Sequence, residues 1–496
     1  MLPSLHHLHA RSASSAAQPR VSVNEYRARR ERVAAALANQ LEQRGVAGGV
    51  VVIYTSAPVQ RMQHDIQRVF RQDPDFLWLT GLGEPHALLA WVRTALGASR
   101  WVLLLTESSR EEARWHVPRT TREAMERRFL DGRVRPLTTA TLRTLLRECR
   151  TGPDAPTVCF ETERGRALPP ALMAALREAG VEQLRAAPWW RAVVQRERVV
   201  KSPAELELLR RSANASCAAL LAVMRASVVG HRTNEQDVTE AKLAATFRYL
   251  VATAGAKRLA FPTIVAAGDN ATVLHYHRAD DALRPGQLLL VDAGCEMDAY
   301  CSDVARTWPV SGRFSAAQRM LYEAVLEIHR VCVEACREGA PGGSALTLES
   351  LQRVALAQAR DQLTGLRRAL RATGARDAVE TDEVSVEETT RCFPHAVAHF
   401  VGMDTHDTPL VGHDTPIPAN AVLAIEPGLY LPRAGGGGGD SDPWQQLRGL
   451  GVRVEDMVVV GAPGTPPEVL TDGVPKSVRA LQTLLCSEGA ARQRAR

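Results

Sequence analysis

The chain has no uninterrupted apolar run of membrane-spanning length, so no transmembrane helix is expected. Its nine cysteines include no CxxC pair, and their number is odd. That usage argues against a disulfide framework and fits a reducing compartment. Cys332 and Cys336, one helical turn apart, read as core rather than zinc ligands, and Cys295 and Cys301 as packed thiols. An excess of one sign of charge is lacking too: the net charge of +6 is modest, comes from dispersed arginine and gives no case for a nucleic-acid partner. A basic cluster at 27–32 falls on an expected helix and reads as its solvated face. The first 24 residues contain no Asp or Glu, carry Arg11 and Arg20, and are rich in Ser and Ala. That is the composition of a mitochondrial or plastid transit peptide, without the apolar core of a secretory signal. The alternative is an N-terminal tail on a cytoplasmic protein.

What is present lies mostly in the second half. Asp292, Asp303, His399, Glu426 and Glu455 sit in the contexts VDAGCE, CSDVART, HAVAH, AIEPGLY and GVRVEDM. Four hard carboxylates and one imidazole suit a pair of divalent cations, because carboxylates bridge two ions and neutralise them. QLLLVDAGC and CSDVARTWPV read as a β-hairpin around a turn. A turn centred between Met297 and Asp298 sets Asp292 directly opposite Asp303. Two unpaired carboxylates about 5 Å apart would repel, and a metal between them removes the conflict.

Glu426 and Glu455 stand in or beside apolar β-rich runs, where a carboxylate is costly without a compensating charge. Arg453, two residues before Glu455, is placed to pair with a ligand carboxylate. Around His395, His399 and His406 the periodicity leaves helix and strand open. With His399 on metal, the other two remain for proton transfer and for holding a developing oxyanion.

The ordered set VDAGCE, DVARTWPV, HxxxH, GMDTH, IEPGLY and VRVED resembles the pita-bread metallopeptidases, and within them aminopeptidase P. TVLHYH at 272–277, DFLWLTGLGEPHALL at 75–89 and VVKSPAELELLRRSA at 199–213 extend the resemblance from about Asn24 to about Val478. It implies a ribonuclease-H-like α/β N-terminal domain and an α+β pita-bread catalytic domain. It implies two metal ions on the five ligands, with Asp303 and Glu455 touching both; Mn²⁺ suits oxygen-plus-His ligation, while Zn²⁺ and Co²⁺ also fit. His395, His406 and His275 match the family's catalytic and substrate-contacting histidines, and Tyr430 and Arg453 its supporting residues. Glu426 is the implied proton acceptor. The implied reaction is release of one N-terminal residue from a peptide, preferentially before proline.

The resemblance also implies assembly as a dimer or tetramer through the N-terminal domain. Organellar relatives that trim one residue from imported proteins after presequence removal are the alternative activity. A catalytically silent binding module is the alternative class, although such relatives lose ligands that are all present here. Prolidase, methionine aminopeptidase and creatinase-like hydrolases are the other enzyme readings. The N-terminal region argues against methionine aminopeptidase, and the intact ligand set against creatinase chemistry. His395-Ala396-Val397-Ala398-His399 departs from the family's HGxxH pattern, which bears on substrate access rather than ligation.

Length allows two or three domains. From Glu25 to about Ala187, β-rich runs alternate with helical stretches in an α/β pattern. PWW at 188–190 begins a crossover, and Ser202-Pro203-Ala204-Glu205 is a capping box opening a helix toward Val223. The expected division is a tail over 1–24, an N-terminal domain over 25–190 and a catalytic domain over 191–496. The charged stretch between Leu366 and Cys392 reads as a surface insertion, and the glycine run at 435–439 as a loop.

Overall fold

The strand Val50–Thr55 is hydrophobic at nearly every position because both of its faces are covered. Val50, Val52 and Tyr54 pack with Val33 and Leu37 of the helix Val23–Gln43. Val51 and Ile53 point the other way, toward Leu142 and Leu146 of the helix Thr139–Glu148. This strand is central in a mixed six-stranded sheet that runs, in space, Gly132–Pro136, Ser99–Leu105, Ala87–Arg93, Val50–Thr55, Thr157–Phe160 and Leu184–Ala186. The computed structural model describes residues 21–494 apart from 47, 64–65, 95, 150–156, 161–169, 179–183, 187–188, 229–237, 339–343, 373–381, 434–441 and 443. The tail at 1–20 and the glycine run therefore lie outside the described residues.

The C-terminal part repeats one plan twice. Helices Pro203–Ala226 and Glu240–Thr253 precede the antiparallel strands Ile264–Ala267, Leu288–Ala293 and Val304–Pro309. Helices Ala316–Glu338 and Leu348–Ala372 precede the antiparallel strands Ala398–Phe400, Val422–Ile425 and Asp456–Val459. Both capping-box hydrogen bonds form at Ser202 and Glu205, with Pro203 at the first helical position, so the first helix starts where the sequence places it. The halves join through their third strands: Glu455 N donates to Ala305 O at 2.9 Å, and Thr307 Oγ1 to Arg453 O at 3.0 Å. The result is an α/β N-terminal part and an α+β pita-bread C-terminal part.

Two expectations change. Helix Leu348–Ala372 runs on through the start of the charged stretch, burying Leu366, Arg367 and Leu370, and Val386–Cys392 is helical as well. Only 373–381 in between lies outside the description. In the basic cluster at 27–32, Arg29 and Arg30 are buried rather than solvated. Arg29 pairs with Glu25 at 2.6 Å and with Glu205 at 3.3 Å; Arg30 pairs with Asp131 and covers the Phe129 ring at 4.0 Å. Arg29 thus ties the helix Val23–Gln43 to the helix that opens the C-terminal part, and Arg30 ties it to the turn at Asp131 within the N-terminal part. Eight of the nine cysteines are buried, with Cys332 and Cys336 in the core.

Candidate metal centre

The hairpin turn comprises Asp298 and Ala299, whose φ angles of 49° and 71° are those of a primed two-residue turn. Its centre is thus one residue later than the sequence argument assumed. Asp292 pairs with Ala305, not with Asp303. Asp303 lies two residues before Ala305, on the diagonal, still within carboxylate reach. The ladder breaks here because Gly294 and the Ser302 carbonyl approach closely: a Cβ at Gly294 would stand 1.9 Å from that oxygen. The break frees Asp303 from the ladder, and its N–H is turned to the Met457 sulfur at 3.3 Å.

The carboxylates come from matching places in the two halves. Asp292 is near the end of one second strand, and Glu426 immediately follows the other. Asp303 and Glu455 each immediately precede a third strand. His399 settles the helix-or-strand question: it is mid-strand, with Nδ1 facing the Phe400 carbonyl at 3.2 Å. That leaves Nε2 toward the carboxylates, 3.5 Å from Asp303 Oδ2 and 3.6 Å from Glu426 Oε1. Asp303, His399 and Glu455 each bring one ligand atom within 4.8 Å of the others.

A second layer holds this one. Arg453 donates to Asp292 Oδ2 at 2.5 Å and to the Tyr430 hydroxyl at 2.7 Å, and Nε stands 3.9 Å from Glu426. The same hydroxyl is 3.0 Å from His395 Nε2, and His395 Nδ1 is 3.9 Å from Glu426. The His406 ring lies 4.3 Å from that of His399 and is exposed toward solvent. His275 is exposed, with the His277 ring 6.2 Å away. Its loop is anchored by the fully buried Glu240, which accepts from Tyr276 Oη at 2.9 Å and Ala267 N at 2.8 Å. Sequence reading missed Glu240, because an acid in a helix's first turn is an ordinary feature.

The electrostatics fit cations. Burial raises the Asp292, Asp303 and Glu455 carboxyls, and repulsion among the carboxylates pushes Asp303 and Glu455 well above the usual range. Burial pushes Glu426 up to about 7 despite the nearby Arg453. Burial also holds His399 down at about 3 and His395 at about 4, so both imidazoles are neutral and keep a lone pair at neutral pH. Asp292 Oδ1 and Glu455 Oε2 are buried without a hydrogen-bond partner. Orphaned buried carboxylate oxygens are rare unless something positive meets them. Among the described residues Arg453 is the cation that meets these carboxylates, and the charge it leaves over is of the kind divalent ions neutralise.

Comparisons with known proteins give the family. The profile of metallopeptidase family M24 matches residues 207–462, and that of the aminopeptidase P N-terminal domain matches 26–151. The chain is 31% identical to Xaa-Pro aminopeptidase 3 of Homo sapiens over 476 residues, which is 95% of this chain and 87% of that protein. It is 29% identical to the mitochondrial intermediate cleaving peptidase 55 of Arabidopsis thaliana over 484 residues, covering 96% and 86%. The structure of Pseudomonas aeruginosa aminopeptidase PepP superposes with a TM-score of 0.75 at 28% identity, covering 95% of this chain and all of that one. A two-half α+β fold that gathers neutral imidazole and under-compensated carboxylates at its centre thus meets a profile spanning just over half the sequence: the chain belongs to metallopeptidase family M24 and is a metal-dependent hydrolase.

Proposed function

We propose that the protein is an aminopeptidase that releases one N-terminal residue from peptides whose second residue is proline. The observation that carries this reading is the convergence of Asp292, Asp303, His399, Glu426 and Glu455 from both halves, with two carboxylate oxygens left unpaired. These five residues would hold two divalent cations, and oxygen-plus-His donors favour Mn²⁺ while admitting Zn²⁺ or Co²⁺. When bound, the ions supply Lewis acidity and a water acidified toward neutrality.

The protein's own groups do the rest. Glu426, 3.6 Å from His399 Nε2 through Oε1, takes the proton from the attacking water and returns it to the leaving amine. His406 stands on the open side of the cluster and donates to the oxygen that becomes negative as the peptide carbon turns tetrahedral; His395 stands beside it with Nδ1 on the Ala396 carbonyl at 2.9 Å and Nε2 on the Tyr430 hydroxyl. Tyr430 and Arg453 fix His395 and Asp292 in place. His275 joins them on the substrate side.

In this reading residues 1–24 are a targeting segment, 25–190 an N-terminal domain and 191–496 the catalytic domain, and the enzyme is a mitochondrial homo-oligomer. Likeness to the Arabidopsis mitochondrial peptidase and the acid-free N-terminus favour a second activity, trimming one residue from imported proteins after presequence removal. The decisive assay uses protein reconstituted with Mn²⁺ and matched peptides with proline or another residue second, with Asp292→Asn as control. Release confined to the proline peptides establishes the first activity. Release of Tyr or Leu from peptides lacking proline establishes the second. Metal-independent release, or none, overturns both.

A further inference from the structure

The loop that carries His406 is held from outside the catalytic half. Asp407, the next residue, is buried, and its carboxylate accepts from Arg198 on one oxygen and from Lys201 Nζ at 3.1 Å on the other. The other arm of the Arg198 guanidinium goes to Asp75, on the helix Pro74–Thr80 beneath the N-terminal sheet. Arg198, Asp75 and Asp407 are all buried, so this is a continuous chain of desolvated charge from one part of the protein to the other. Two further ties run parallel to it. Arg71 reaches Asp404 at 2.7 Å and the Met403 carbonyl at 2.6 Å. Gln195, on the connecting helix Trp189–Val199, accepts from Leu410 N at 2.8 Å. The segment is therefore fastened before, beside and after His406.

The loop's backbone shows that this conformation is imposed rather than native to the segment. Thr408 is a β-branched residue at φ 51°, in the left-handed region such residues avoid, and its hydroxyl is buried without a partner. Gly402 has no room for a side chain, since a Cβ would stand 2.3 Å from Asp407 Oδ2. A strained segment persists where its surroundings over-determine it, and here the surroundings are the N-terminal part and the connecting helix.

We infer that Asp75 and Arg198 are positioning residues for the reaction: through Asp407 they set where the His406 ring stands beside the metal centre. This rests on the reading of His406 as a substrate-contacting group. The N-terminal part is then a component of the active site without contributing a group that touches substrate.

The test is a double-mutant cycle on the Mn²⁺-loaded protein. Asp75→Asn is expected to lower kcat by roughly ten- to a hundred-fold, the range a small misplacement of a catalytic group produces, with metal content unchanged. In a His406→Ala background the same substitution is expected to change kcat no further. Equal losses in both backgrounds would mark Asp75 as merely structural and overturn the inference. Arg71→Ala runs beside it, because Arg71 is 38% exposed and its removal spares Asp75, Arg198 and Asp407, leaving Glu296 with Arg258; its loss, too, should vanish without His406. A second readout needs no turnover: amide exchange over 402–410 should quicken in the metal-free Asp75→Asn protein, and unchanged protection would overturn the inference. If His406→Ala alone keeps full turnover, the reading of His406 fails, and this appears in the single variant before the cycle is read.

Discussion

Buried charge in this protein is arranged on two opposite plans. At the seam between the N-terminal and C-terminal parts, each buried carboxylate has its cation. Asp75 takes Arg198 and Arg191, and Asp407 takes Arg198 and Lys201. Beneath the metal centre Asp456 takes Arg306 and Lys476, with His329 Nε2 3.1 Å away. Despite burial, the arginines hold Asp75 below the usual carboxylate range, and Arg306 holds Asp456 well below it. One residue away from Asp456, at Glu455, the sign reverses: burial and facing carboxylates push the group far up. The same residue type in the same strand region is thus either satisfied or left wanting. A cluster that stays wanting in a folded protein is paying for something other than its own stability, and in this case the compensation comes from divalent ions.

That contrast breaks most visibly if a carboxylate is removed from each cluster. Asp303→Asn should lose bound metal and drop activity below about a hundredth of wild type, the scale reached even by losing an outer-shell partner of a metal ligand. Yet its metal-free form should be more stable than metal-free wild type, because a repulsive charge has gone. Metal analysis and denaturation of the two metal-free proteins check both halves, and a less stable metal-free variant would count against the contrast. Asp456→Asn should do the reverse. It leaves Arg306 buried on backbone carbonyls, with no carboxylate partner among the described residues, at a cost of roughly 3–5 kcal/mol in unfolding free energy. Denaturation with and without metal should show that deficit in both states. A loss below about 1 kcal/mol would mean that the network beneath the site is not the balanced one its geometry describes.

A smaller effect separates the ring beside the site from the ligands themselves. His406→Ala should keep its metal while kcat falls by roughly a hundred-fold, within the range for removing one proton-transfer or oxyanion-stabilising group. Loss of metal in that variant would move His406 into the ligand shell.

These two kinds of cluster were not equally legible in the sequence. The five ligand-type residues stood out because a carboxylate or imidazole inside an apolar run breaks the expected pattern, and each break was short and local. The register that brings Asp292 and Asp303 together was misjudged by one residue, since nothing in EMDAY announces that Asp298 and Ala299 both take positive φ. Ala is an uncommon choice for such a turn, and a Gly there would have announced it. The seam was read wrongly for a different reason. Arg29 and Arg30 sit among exposed arginines on an amphipathic helix, and their partners Glu205 and Asp131 are about a hundred residues or more away in the chain. Long-range pairing of ordinary surface-type residues leaves no local trace, so the parts of the fold that depend on it appear only in three dimensions.

The finest test of the contrast is the pH dependence of the metal-free protein. A carboxylate raised in the folded state binds a proton more readily there than when unfolded. Its contribution therefore falls as pH rises from the unfolded value through the folded one. Asp292, Asp303, Glu426 and Glu455 all act in this direction, with Glu426 crossing at about 7. His395, His399 and His406 act oppositely: each is held below 6.5, so folding gains stability as pH rises toward that value. Below pH 6.5 the two sets offset each other. Above it the imidazoles are neutral in both states and only the carboxylates remain. Metal-free protein should then lose stability between pH 6.5 and 8, by up to roughly 1.4 kcal/mol per pH unit for each group titrating. Glu426→Gln should flatten the slope around pH 7, and saturating Mn²⁺ should remove it, because ions rather than protons then meet the carboxylates. A metal-free stability that is level or rising across that window would show that these carboxylates are already compensated within the protein.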